Sequence, residues 1–225
     1  SLSYVMDAIR TTRKELDVPL IGFAGAPFTL ASYAIEGGGS KNYYEAKKLM
    51  LGDEGLWNAF MSKLSSAIAD YLIAQIDAGA QAVQLFDSWI GCLSPSDYRR
   101  YVLPHTKAIF DKLPKDTPAI HFGTGNPELY PAMKEAGGDV IGIDWRTSID
   151  AAWSAVGNDV GIQGNMDPAA LLASADVLRA RASEVLDSAA GRPGHIFNLG
   201  HGIMPQAKVD RAKALVDHVH EASQR

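Results

Sequence analysis

Short β-branched or apolar runs recur along the chain, each ending in Gly, Asp or Asn and each followed by a longer stretch with helical spacing. The runs are residues 19–25 (PLIGFAG), 82–87 (AVQLFD), 118–123 (PAIHFG), 140–144 (VIGID), 159–164 (DVGIQG) and 195–200 (HIFNLG). Their near-continuous apolarity predicts strands covered on both faces, as parallel strands are. Between them the period changes. Over residues 57–75, Trp57, Phe60, Met61, Leu64, Ile68, Tyr71 and Leu72 keep the three-and-four spacing of one buried stripe, with Gly79 as the stop. Ser94-Pro95-Ser96-Asp97, Asn126-Pro127-Glu128 and Asp167-Pro168 each place a capping side chain ahead of a proline at the first helical position. A first helix is predicted over residues 1–16, and Val209, Ala212, Leu215, Val216 and Val219 mark a last amphipathic one.

Strands alternating with helices leave an open doubly wound sheet or a barrel. A doubly wound dinucleotide fold calls for a glycine fingerprint after the first strand, but GFAGAPFT has other spacing and a proline where a helix would take up phosphate. The glycines of EGGGS at residues 36–40 lack the Lys-Ser/Thr of a phosphate loop and read as a flexible or tight turn. The expected fold is therefore α/β, a (β/α)8 TIM barrel with about six strands present and its first βα units lacking. On this reading residues 1–225 are a single barrel domain, truncated at its N-terminus inside a helix, with about 60 residues or more belonging ahead of it.

Composition narrows the function classes. Hydrophobic residues make up 47% of the 225 and charged residues 21%, enough to bury a core and unlike a disordered chain. With 21 Lys+Arg against 26 Asp+Glu the net charge is −5, so no global basic field favours nucleic acid or anionic lipid, and an anionic ligand must be held by local groups. The single cysteine, Cys92, excludes an internal disulfide and suits a reducing compartment. Without a signal pattern or a charge-free run of membrane-spanning length, a cytoplasmic protein is expected.

In a parallel barrel the loops after the strands converge on one mouth. That rule collects Phe86, Asp87, Ser88, His121, Phe122, Asp144, Gln163, Asn165 and His201, with Thr29 and Tyr33 after the first strand. His201 lies between Gly200 and Gly202, which lets backbone approach a ligand closely. Ser88 has no G-x-S-x-G elbow, so it reads as a hydrogen-bonding or turn residue rather than a hydrolase nucleophile. Tyr33 fits a core position as well as a site, and Asp87 and Asp144 fit helix caps or cation partners such as Arg146 as well as catalysis. His105, beside Pro104, is expected at the surface, and Cys92 as a small packed residue. Pattern alone names no reaction.

Four strings, GFAGAPFTLASYAIEGGGSKNY, LFDSWIGCLSP, GIQGNMDP and FNLGHGIMP, occur in this order and resemble the uroporphyrinogen decarboxylase family over essentially the whole chain. The resemblance implies a barrel, a homodimer, and removal of the four acetate carboxyl groups of uroporphyrinogen to give coproporphyrinogen, with neither metal nor organic cofactor. It also implies site roles. Tyr33 matches an active-site tyrosine near the scissile acetate, Ser88 a serine that contacts substrate, His201 a histidine near a substrate carboxylate, and Phe86 a phenylalanine against the macrocycle. The family's Arg-rich carboxylate-gripping motif and its pyrrole-binding aspartate have no counterpart here, so the chain alone is expected to be inactive. Two alternatives stand beside this reading. One is a zinc- or cobamide-type methyltransferase on the same barrel, for which His121-Phe122-Gly123 lacks the thiolate of a His-x-Cys ligand pair. The other is a non-catalytic tetrapyrrole-binding module.

Overall fold

The structure, a computed structural model, describes residues 2–223. The chain forms two compact units, one running up to Asp139 and the other from Val140 onward.

The first unit is built of α1 (Ser3–Glu15), β1 (Ile21–Gly25), α2 (Pro27–Glu36), α3 (Tyr44–Gly52), α4 (Glu54–Asp77), β2 (Ala82–Asp87), α5 (Pro95–Tyr101), α6 (Leu103–Lys112), β3 (Ala119–Gly123) and α7 (Tyr130–Ala136). β1 pairs with β2 and β2 with β3, both parallel, with Gly25 opposite Phe86 and Phe86 opposite Phe122. Because side chains alternate along a strand, this register gives the sheet two distinct faces. On one face Ala24, Val83, Leu85 and Ala119 are buried against Ile68, Ala69 and Leu72 of α4 and Ile109 and Phe110 of α6. The other face carries Phe23, Phe86 and Phe122, whose rings follow one another edge to face.

The Ser94 capping signal acts as predicted: its side chain accepts from the Asp97 amide with Pro95 at the first position of α5. Asn126 accepts from the Glu128 amide but opens a short 3-10 turn before α7, and Asp53, not singled out from the sequence, caps α4 by accepting from the Leu56 amide. The α4 stripe is present, with Trp57, Met61, Ile68 and Leu72 buried, and Gly79 follows its end with φ of 117°. One long-range device was not signalled. Gln75, buried on α4, accepts from the Phe23 amide and donates to the Phe23 carbonyl, so a helix side chain satisfies backbone groups of β1.

The second unit comprises β4 (Val140–Gly142), α8 (Ile149–Val156), β5 (Gly161–Met166), α9 (Ala175–Ala189), β6 (His195–Leu199) and α10 (Val209–Ala222). Its strands are again parallel, β4 to β5 and β5 to β6. Met166, Leu171, Leu178, Ala182 and Leu215 form its buried cluster. Asp167 caps as expected, accepting from the Ala169 amide, but the turn it opens is a short 3-10 helix before α9.

Three sequence expectations are corrected. β1 and β6 are not covered on both faces: Ile21, Phe23 and Ile196 are exposed, and burial alternates along both strands. The apolar stripe of α10 is sunk only at Leu215, while Val209 and Val216 face outward. His105 is buried rather than at the surface, because α6 packs on α4, where its ring bonds to Asn58 Oδ1 at 2.9 Å.

Candidate functional site

Three of the four predicted site residues lie in the first unit, Phe86 at the end of β2, Ser88 just beyond it and Tyr33 on α2. β2 delivers Phe86, and Ser88 follows in the turn just beyond the strand end. The Phe86 ring sits between Phe23 (centroids 5.8 Å apart) and Phe122 (5.5 Å), and the Phe86 carbonyl accepts from the Ala26 amide at 2.8 Å. That bond ties the start of α2 to the end of β2. Two turns further along α2, Tyr33 is 47% exposed, and its ring packs edge-on against Trp89 with centroids 5.6 Å apart. The position after Ser88 therefore braces Tyr33.

A second tyrosine completes the aromatic wall. Tyr43 lies 5.4 Å from Trp89 and 6.4 Å from Phe28 by ring centroids. Burial first, then the neighbouring Cys92, Tyr33 and Glu36, push its phenol up to about 12. Tyr43 is thus held as a neutral hydroxyl. Neither Trp89 nor Tyr43 was singled out from the sequence; the only signal was their aromatic character beside Ser88 and after the glycine turn.

The loop bearing Ser88 is fixed from the β3 side. Thr124 Oγ1 donates to the Ser88 carbonyl at 2.9 Å, and Asn126 Nδ2 donates to the Leu93 carbonyl at 3.1 Å. Gly91 permits the approach: a Cβ there would overlap the Thr124 carbonyl oxygen and lie 2.7 Å from Gly125 Cα.

Asp87 and His121 do not join this face. They follow the strand alternation onto the helix side, where both are fully buried, so collecting every strand-terminal residue at one mouth was wrong for these two.

In the second unit, Asp144 is buried and accepts the Arg146 amide at 3.0 Å, while the Arg146 guanidinium pairs with its carboxylate and stacks over Trp145 at 4.5 Å. Asn165 donates to the Asp144 carbonyl at 2.8 Å. These strand-end polar groups brace one another, which is the structural alternative raised for Asp144. His201 is exposed in the loop between β6 and α10. Gly200 is explained by protein rather than ligand: a Cβ there would come within 2.7 Å of the Trp145 amide nitrogen.

The parallel strands, the alternating helices and the aromatic and hydroxyl groups at strand ends define an α/β domain of the barrel class. The same architecture recurs in a solved methyltransferase from Methanosarcina mazei, with a TM-score of 0.84 at 21% identity over 98% of this chain and 64% of that one. At that identity the likeness concerns the fold alone. The uroporphyrinogen decarboxylase (URO-D) family model matches residues 1–222, and the chain belongs to that family. Relatives named uroporphyrinogen decarboxylase include one from Carboxydothermus hydrogenoformans, 55% identical over 98% of this chain, and one from Sorangium cellulosum, 55% identical over 97%. The chain spans 64% of the length of each of these relatives.

Proposed function

We propose that the protein containing this chain decarboxylates the four acetate arms of uroporphyrinogen to give coproporphyrinogen. The observation that carries this reading is the 55% identity to relatives bearing that name over nearly the whole chain. The match to one family model runs through both units and supports reading residues 1–225 as one domain. The chemistry needs no metal or organic cofactor, since a pyrrole protonated at the carbon bearing the acetate arm accepts the electron pair released as carbon dioxide leaves. The protein's task is to hold a cup-shaped tetrapyrrole, stabilise the ring cation and move protons with little water present.

Phe86, flanked by Phe23 and Phe122, offers an apolar shelf for the macrocycle. Tyr33, stacked on Trp89, presents its hydroxyl as the proton relay or hydrogen-bond donor beside the scissile acetate, and Ser88 and His201 orient carboxylates. The net charge of −5 over these 225 residues gives no global attraction for a poly-anionic substrate, so local groups must hold its carboxylates. Among the described residues no helix is long and apolar enough to cross a membrane. A cytoplasmic homodimer free of nucleic-acid and membrane partners completes the proposal.

The test is coproporphyrinogen formation by the protein as its gene encodes it. Tyr33→Phe is expected to lower kcat by about 100-fold or more, as loss of a proton-transfer group does, and His201→Asn to have a smaller effect, both with unchanged melting. Unchanged turnover in both variants overturns the site. Stoichiometric zinc retained after dialysis, without decarboxylation, would instead favour a methyltransferase.

A further inference from the structure

Beneath the rim just described, on the helix side of the first unit, lies a buried polar chain that the proposed chemistry does not use. The Trp89 amide donates to Thr29 Oγ1 at 3.3 Å, and the Thr29 hydroxyl donates to Asp87 Oδ1 at 3.1 Å. At the far end, His121 Nδ1 stands 3.1 Å from the Met133 carbonyl oxygen. A carbonyl only accepts, so Nδ1 carries a proton and Nε2 is left as an acceptor unless the ring is cationic. Between these ends, Asp87 Oδ2 and His121 Nε2 face each other 3.9 Å apart, both side chains wholly buried and neither atom with a hydrogen-bond partner among the described residues. Two buried acceptors facing each other without a proton would be repulsive and unsatisfied, whereas one proton satisfies both after a small closing movement.

We propose that Asp87 and His121 hold a single proton between Oδ2 and Nε2, and that this pair is the positioning device fixing the end of β2 that presents Phe86 and Ser88. The proton has two placements, carboxylic acid with neutral imidazole or carboxylate with imidazolium, and the pair is neutral overall in both. A second proton would leave a buried cation and loss of the proton a buried anion, each costly away from water. Burial, the largest influence on Asp87, pushes its carboxyl up, in keeping with the acid placement, while His121 and Thr29 act in the opposite direction. The groups facing the pair are Thr29 of α2, buried Tyr98 of α5, the Phe110 ring of α6 at 5.2 Å from the imidazole, the Met133 carbonyl of α7, and Cys92 with Lys47 at its carbonyl. The pair thus links α2, β2, β3 and α7 directly behind the rim.

The role given to Phe86 and Ser88 rests on the decarboxylase reading, whereas the proton placement does not, so the test reads the proton directly. In nitrogen-15 spectra of the full chain, His121 is expected to keep Nδ1 protonated and Nε2 hydrogen-bonded. Asp87→Asn keeps an oxygen for Thr29 and offers Nε2 an amide hydrogen, so the Nε2 resonance should shift while the Trp89 amide, bonded to Thr29, stays protected. His121→Leu should speed exchange of the Trp89 amide by about 10-fold or more, since it orphans Asp87. An unprotonated Nδ1, an Nε2 resonance indifferent to Asp87→Asn, or unchanged exchange in His121→Leu overturns the proposal. If either variant does not fold, the imidazole spectrum of the unaltered chain decides alone. Absent decarboxylation with the expected spectrum would defeat the functional reading and leave the pair standing.

Discussion

Ser88 is held by its neighbours' backbones more than by side chains. The Thr124 bond to its carbonyl and the bare Cα of Gly91 against Gly125 join two loops that a methyl group would force apart. Gly91→Ala is therefore expected to cost about 1–3 kcal/mol by overpacking against backbone that has no rotamer to yield, measured as a lowered urea midpoint. The change should also lower turnover in the encoded protein by moving Ser88. At this scale the residue types were legible but not their directions. Phe86 and Asp87 are consecutive, and only the alternation of β2 separates the one on the aromatic shelf from the one that faces the helices. Tyr33 was legible through its family motif, but Trp89, which braces it, carries no motif of its own.

Among the elements, β2 was readable to the residue, because AVQLFD is both strand-like and sharply bounded. β4 is shorter than the predicted run and β5 begins and ends two residues later, since glycine and aspartate near their ends fit turn and strand equally. The open face of β1 could not be read, because apolarity does not report whether a neighbour is there to cover it; Phe23 is 60% exposed. What keeps β1 in place is partly Gln75, reaching from α4 to both backbone groups of Phe23. Gln75→Leu preserves size but leaves an amide and a carbonyl without these partners, so a loss of about 2 kcal/mol is expected in chemical denaturation. Leu72→Ala, one turn earlier on α4 and wholly buried, should cost about 2–5 kcal/mol through the cavity it leaves.

For the molecule as a whole, buried His105 and half-buried His195 set a dependence on acid. Burial lowers the pKa of His105, and it lowers that of His195 against an opposing bond to the Gly164 carbonyl. The unfolded chain then binds protons at a pH where the folded chain does not, so stability falls as pH drops through about 6.5, the ordinary imidazole value. Asp87 has the opposite sign: its raised pKa means the fold keeps a proton the unfolded chain has released, so its contribution weakens as pH rises above the ordinary carboxylate range. The urea midpoint is accordingly expected to decline between about pH 7 and 5, and more gently in a His105→Gln variant that retains a polar group for Asn58. An identical decline in that variant would show that His105 does not contribute. Net charge and composition were legible from the outset, but the burial of His105 depends on how α6 meets α4, which no local pattern encodes.

The placement of Asp87 between Phe86 and Ser88 has a consequence for how this gene tolerates insertions and deletions. Loss of one codon within β2 ahead of Phe86 would rotate every later side chain of the strand to the opposite side, driving a carboxyl group toward the ring shelf and an aromatic ring into the space beside the imidazole. In a saturation library, in-frame single-codon indels at residues 82–85 should therefore be depleted more severely than any substitution of Phe86, Asp87 or Ser88.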